Sequence, residues 1–141
     1  MITAIYERLR GNGALMALLP GGVHNGAVVQ EISRQNTPAV FDANKEIQAC
    51  ALVQLENEVP FGPLPTGTTL YVVIYFYQRF GHGTIQQAQL AARALLHRQV
   101  LQPVDGSRNF EMHHANTLLG MNDQALNCAL AVSRYVCYMA R

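Results

Sequence analysis

Charge is what this sequence has least of: 13% of its 141 residues are Asp, Glu, Lys or Arg, against about 25% in an average soluble domain. Lys45 is the sole lysine, and the other bases are arginines. With a net charge of +1 and a pI near 7.8, the chain lacks the basic excess of an electrostatic nucleic-acid binder. Long apolar runs are missing too. The longest, Leu70 to Tyr77, is eight residues, and a membrane-spanning helix needs about 20. No low-complexity tract occurs, which excludes a disordered chain. Glu7, Arg8 and Arg10 interrupt the N-terminal stretch where a secretory signal would be continuously apolar. Cys50, Cys128 and Cys137 form no C-x-x-C pair, and a reduced, cytoplasmic setting is the expectation.

What is present is apolar. Half of the residues are hydrophobic, enough for one domain spanning residues 1–141 to build its own core. A lone domain normally covers its surface with charge. Arginine is also favoured over lysine at interfaces, being less strongly hydrated and able to stack on rings. Genome bias is the competing explanation for the arginines. Together with the charge deficit, they point to a subunit that hides surface against copies of itself.

The spacing predicts a helix over residues 2–10, capped by Thr3 and burying Ile2, Ile5, Tyr6 and Leu9. Asn12 is placed to cap a second turn, Ala14 to Leu19, which Pro20-Gly21-Gly22 ends. Residues 20–38 read as turns with an extended piece at Ala27 to Glu31, and Pro38 to Phe41 is expected to enter the sheet. Ile47 to Leu55 alternates with period two, hence a half-buried strand. Thr69 to Tyr77 has no polar face. Leu70, Val72, Ile74 and Phe76 line one side, and Tyr71, Val73, Tyr75 and Tyr77 the other, which marks a central strand covered on both sides. Between them, residues 57–68 hold three of the six prolines and read as an apolar loop. Thr84 and Gln87 suggest a capping box opening a helix that buries Ile85, Ala88, Ala92, Leu95 and Leu96, turns Gln86, Gln89 and Arg93 outward, and ends near Gln99 to Leu101. Strands are expected at 109–115 and from Leu126 to Tyr138. The fold class is α+β: a mostly antiparallel sheet packed by a major helix and a short N-terminal helical hairpin.

Catalytic patterns are not found. His113 and His114 are adjacent, and on a strand they point to opposite faces, so the pair cannot chelate one metal. No H-x-x-x-H or H-E-x-x-H occurs, so no metal ligands are assigned. Ser33, Ser107 and Ser133 lack a G-x-S-x-G setting, and Cys50 and Cys128 sit mid-strand, where a thiolate is desolvated. Glu56 and Glu58 share a face only if their strand continues past Leu55. The glycines at 11, 13, 21, 22 and 26 are accompanied by no G-K-[ST] and read as turns, not a phosphate loop. No enzyme activity and no cofactor are expected. The candidate surface is instead one of self-assembly or partner contact: Tyr71, Tyr75 and Tyr77 on the aromatic strand, with Val59, Phe61 and Leu64 in the proline-rich loop as a projecting arm. The alternatives are core against a helix for the tyrosines, and a loop folded back on the domain.

The order of elements carries a resemblance. A short helix, the turn G-A-L-M-A-L-L-P-G-G-V, the strand I-Q-A-C-A-L-V-Q-L, a Pro/Gly loop, the strand L-Y-V-V-I-Y-F-Y, the helix T-I-Q-Q-A-Q-L-A-A-R-A-L-L-H and two late strands follow one another. This series resembles the tail-terminator (tail-completion) proteins of tailed bacteriophages, across essentially the whole chain. The resemblance implies a virion protein of the tail or neck, assembled in the host cytoplasm as a homohexameric ring. Such a ring caps the tail tube, ends its growth and meets the head-completion or stopper protein, with DNA passing through the lumen and no membrane involved. Two other readings stay open: another connector or stopper ring of the neck, and a small ligand-binding α+β domain whose tyrosine strand lines a pocket.

Overall fold

A computed structural model describes residues 1–60, 67–103 and 108–140. The chain begins with α1 (Ile2–Arg10), which buries Ile5 and Leu9. Thr3 does not cap it. Its hydroxyl instead accepts a hydrogen bond from the Asn25 side chain, 3.1 Å away, which ties the helix to the first strand. The helix α2 (Gly13–Leu18) has the expected cap, the Asn12 side chain accepting from the Leu15 N–H at 2.9 Å.

The extended piece expected at Ala27 to Glu31 lies earlier, as β1 (Gly22–Asn25). It runs parallel to β2 (Cys50–Pro60), with Gly22 opposite Cys50 and Asn25 opposite Val53. Gly26 ends β1 against the same neighbour, its N–H donating to the Val53 carbonyl at 2.7 Å. A side chain at Gly26 would collide with that oxygen and with Gln54, so a glycine is required here by close approach. Pro38 to Phe41 makes a single 3-10 turn over Pro38–Val40 and one bridge, Phe41 to Ile47, outside the sheet.

Of the expected apolar loop, residues 57–60 and 67–68 are strand, and residues 61–66 lie outside the described residues. β2 continues through Asn57–Pro60, and β3 (Gly67–Gln78) pairs back antiparallel, Val59 opposite Thr69. Next comes α3 (Gly83–Leu96). Thr84 is inside this helix and not at its cap. The Gln78 side chain, from the end of β3, accepts from the Ile85 N–H at 3.1 Å, so tertiary structure supplies the cap that local sequence suggested from Thr84. The helix stops earlier than expected, because Gln99–Leu101 forms β4. The strands β5 (Phe110–Asp123) and β6 (Cys128–Ala140) form a ribbon eight residues longer on β5 than the expected end at residue 115.

Six strands make one sheet in the order β1-β2-β3-β6-β5-β4, antiparallel except for the β1–β2 pair. Bulges at Leu55/Asn57, His114/Asn116 and Leu118/Met121 bend it. The third contains Gly120 at φ +74°, a conformation suited to glycine. All three helices lie on one face. Ile5, Leu9, Leu15, Ile85, Ala88 and Leu96 meet Val53, Val72, Ile74, Phe76, Met112 and Tyr135 in the main core. Each fully buried aliphatic or Phe side chain there contributes about 1.5–3 kcal/mol. Among the described residues, the opposite face is covered at one end, where Ile32, Val40 and Ile47 close over Cys50, Leu52, Tyr77 and Cys128. The expectation for residues 69–77 therefore holds for the strand's central place in the sheet, and cover on the second side, by loop rather than helix, reaches Tyr77 but not the exposed Tyr71.

Candidate functional site

Partial cover divides the tyrosine stripe. Alternation places Thr69, Tyr71, Val73, Tyr75 and Tyr77 on the side of β3 away from the helices. Tyr77, 7% exposed, belongs to the smaller core and does not reach the surface. Burial, with Asp123 next, pushes its phenol up from the ordinary value. Tyr75 is half-buried and stacks on Tyr77 at 6.5 Å between centroids. Tyr71 is exposed. Val59 is exposed on β2, two residues along from Tyr71's partner Asn57. Phe61 and Leu64 lie outside the described residues.

Around Tyr71 and Val59 the uncovered face continues across the sheet. Tyr138 on β6, opposite Thr69, and Leu118 and Met121 on β5 are exposed on the same side. The sequence pointed to the tyrosines and Val59 but not to β5. L-L-G-M, residues 118–121, was the available signal: an apolar run in a stretch otherwise polar.

The two glutamates do not share a face. The Leu55/Asn57 bulge gives Glu56 to Arg134, an ion pair at 3.3 Å, on the uncovered side. Glu58 is opposite Leu70, whose side chain is in the main core, so Glu58 is on the helix side. His113 and His114 separate as expected of adjacent strand residues. His113 packs against Tyr138 and His97, and His114 against Tyr135. His97 Nδ1 accepts the His114 backbone N–H at 2.9 Å, fastening the end of α3 to β5. Desolvation first, then Arg98 and Arg93, holds His97 below the ordinary histidine value, and desolvation with Arg93 does the same to His114. The described residues contain no group of three or more His, Cys, Asp or Glu arranged to hold a metal. The three cysteines are buried thiols. Burial raises Cys128 to about 11 and Cys137 to about 12, where they are protonated and inert at neutral pH.

On the helix side, an open groove of about 220 Å³ lies between α3 and β5, lined by Gln86, Gln89, Leu90, Arg93, Thr117 and Leu119. Leu90 is 66% and Leu119 49% exposed, whereas Gln89 is only 5% exposed. The sequence placed Gln89 outward. It faces in, and its Nε2 has no hydrogen-bond partner among the described residues. Ser133 Oγ and Tyr135 Oη, on the same side of β6, are buried and equally without one.

No protein-family model matches the chain, and no curated protein is significantly similar to it. Among solved structures, it is similar to a chain from the virion of a native gene transfer agent (GTA) particle, with a TM-score of 0.63. The match covers 100% of this chain and 95% of that one at 15% identity. What the two chains share is thus the fold, from end to end.

Proposed function

We propose that this chain is a structural subunit of a phage-like virion, and that it forms a ring capping the tail tube. It ends tube growth and joins the tail to the head-completion proteins, with no catalytic role. The observation that carries this reading is the end-to-end fold correspondence with a chain of a gene transfer agent virion. The element order resembles tail terminators independently of that match. Surface chemistry supports a subunit: few charges, one lysine, and exposed Val59, Tyr71, Leu118, Met121 and Tyr138 on one uncovered sheet face. Such a patch on an isolated domain marks a contact surface. A wall of near-zero net charge also suits a DNA conduit, since a strongly basic one would retain the phosphate backbone.

The test is native mass spectrometry of the purified chain, with electron microscopy of the same sample. A hexamer with a central pore is expected. A closed ring of another count would replace the terminator by another neck ring, and a monomer carrying a small metabolite would overturn the structural role.

A further inference from the structure

The groove between α3 and β5 has a definite chemical demand. Gln89 Nε2 is a buried donor with no partner among the described residues, so what it lacks is an acceptor. Arg93, one turn further along the same helix face and exposed, also lines the groove, and its guanidinium has no hydrogen bond or ion pair among the described residues. A donor and a cation side by side call for a carboxylate. Leu90 and Leu119, both largely exposed, supply apolar walls. The complementary group is a carboxylate with an aliphatic neighbour on the same face.

The chain itself offers one. Among the described acidic residues, Glu46 and Glu56 are ion-paired with Arg79 and Arg134, and Glu111 lies 3.3 Å from His113 Nε2. Asp42 and Asp123 accept backbone N–H groups within turns. Glu7, Glu31 and Glu58 remain. Glu7 is on α1 beside Arg8, and Glu31 is in irregular chain with no fixed face. Glu58 is on a strand. Its register partner Leu70 and Leu55's partner Val72 both enter the main core, so Glu58 and Leu55 share the helix side of β2. Leu55 is 48% exposed there, an aliphatic neighbour of the required kind.

We propose that the Leu55–Glu58 face of β2 in one copy seats in the α3–β5 groove of the next, Glu58 meeting Arg93 and Gln89 and Leu55 meeting Leu90 and Leu119. This deepens the ring reading above and rests on it. Position supports a contact between copies. β3 and β6 lie between β2 and β5 in the sheet, so the two surfaces sit toward opposite margins of one molecule. β1 covers β2 only as far as Val53, which leaves the edge of residues 54–60 without a neighbouring strand among the described residues. A contact between two different surfaces of one chain is head-to-tail, and rotation closes such contacts into a ring.

The experiment is reversal of charge in the full chain, read by native mass spectrometry and light scattering. Glu58→Arg and Arg93→Glu, each on an exposed residue, should weaken self-association about 30-fold or more. The double variant should regain it. An equimolar mixture of the two single variants should too, because alternating copies restore one native and one reversed pair. Glu31→Arg is the control and should assemble as wild type. A second pair, Leu55→Cys with Leu119→Cys, should give a ladder of disulfide-linked copies on mild oxidation, trapping the contact even where association is weak. If wild type forms a ring and the singles do too, or the double does not recover, this contact is overturned and the ring stands. If wild type stays monomeric and the cysteine pair gives no ladder, both readings fall.

Discussion

Tyr135 offers a test whose sign runs against habit. Its ring is fully buried between α3 and the sheet, opposite Val72 and His114, yet its hydroxyl has no hydrogen-bond partner among the described residues. Burial accordingly raises its pKa above the ordinary tyrosine value. A buried hydroxyl left unsatisfied costs about 1–3 kcal/mol, whereas one that is bonded contributes about 1 kcal/mol. Tyr135→Phe removes the oxygen and keeps the ring. The void left is roughly 15 Å³, a penalty of about 0.4 kcal/mol at ~24 cal/mol per Å³. The net expectation is stabilisation by about 1 kcal/mol, a rise of about 3 °C in Tm for a chain of this size. Urea denaturation followed by both circular dichroism and tyrosine fluorescence would measure it. The protein should be dilute enough to be monomeric, because association adds apparent stability. A loss of more than about 1 kcal/mol would refute the reasoning, since only a bonded hydroxyl could cost that much on removal.

Three further outcomes follow from the same structure. Gly26→Ala should cost about 2–4 kcal/mol in urea denaturation, because the added carbon meets the Val53 carbonyl, a backbone atom already engaged by the Gly26 N–H; a cost below about 0.5 kcal/mol would show that β1 can shift. His97 and His114 are both held below the ordinary histidine value, so the unfolded chain takes up protons first. Their contribution is therefore fully present above about pH 6.5 and is lost as pH falls below it. Thermal melts across this window should show the decline, and His97→Gln, which keeps an acceptor for the His114 N–H but does not titrate, should flatten it. Tyr71→Glu should change monomer stability by no more than about 1 kcal/mol while weakening self-association in analytical ultracentrifugation; unchanged sedimentation would remove Tyr71 from the assembly surface.

How much of this was legible from sequence depends on the range of the interactions involved. The central strand was legible because Leu70 to Tyr77 is apolar on both faces, but the extent of its cover was not, since Tyr71 is exposed on the side away from the helices. The Asn12 cap was legible because capping is local, and the helix over residues 2–10 because its stripe is. Local reasoning failed where a distant group intervened. Gln78 took over the cap expected of Thr84, and Asn25 engaged the hydroxyl of Thr3. β2 and β5 ran past their expected ends because Asn57–Pro60 and Asn116–Asp123 are held by pairing with β3 and β6 rather than by propensity. Of the candidate surface residues, Val59 and Tyr71 are exposed, as a contact surface would require. Tyr77 was separated from them by the cover of Ile32, Val40 and Ile47, three residues far from it in sequence. Gln89 escaped because a buried amide with an unmet donor looks, in a helical pattern, like any outward glutamine.

That unmet donor bears on the choice between a free domain and a subunit. A domain evolved to stand alone has every reason to bond its buried polar atoms and to place charge over its strands. Here, among the described residues, Gln89 Nε2 is unbonded beside the unpaired guanidinium of Arg93, while one sheet face shows tyrosine, valine, leucine and methionine to solvent. Either feature alone has an ordinary explanation. Both on opposite sides of the same sheet, in a chain with a single lysine, support the proposed reading of a subunit whose surfaces pair with another chain. The bulges suit the ring proposed above, since a bent sheet presents an inner and an outer curve, and copies arranged about an axis would need contact surfaces that do not face each other squarely. The energetic consequence is specific. Substitutions that satisfy the chain as a monomer, such as Gln89→Met, should stabilise it in isolation and weaken its assembly, and a variant improving both would break the link between the unbonded donor and the partner it awaits.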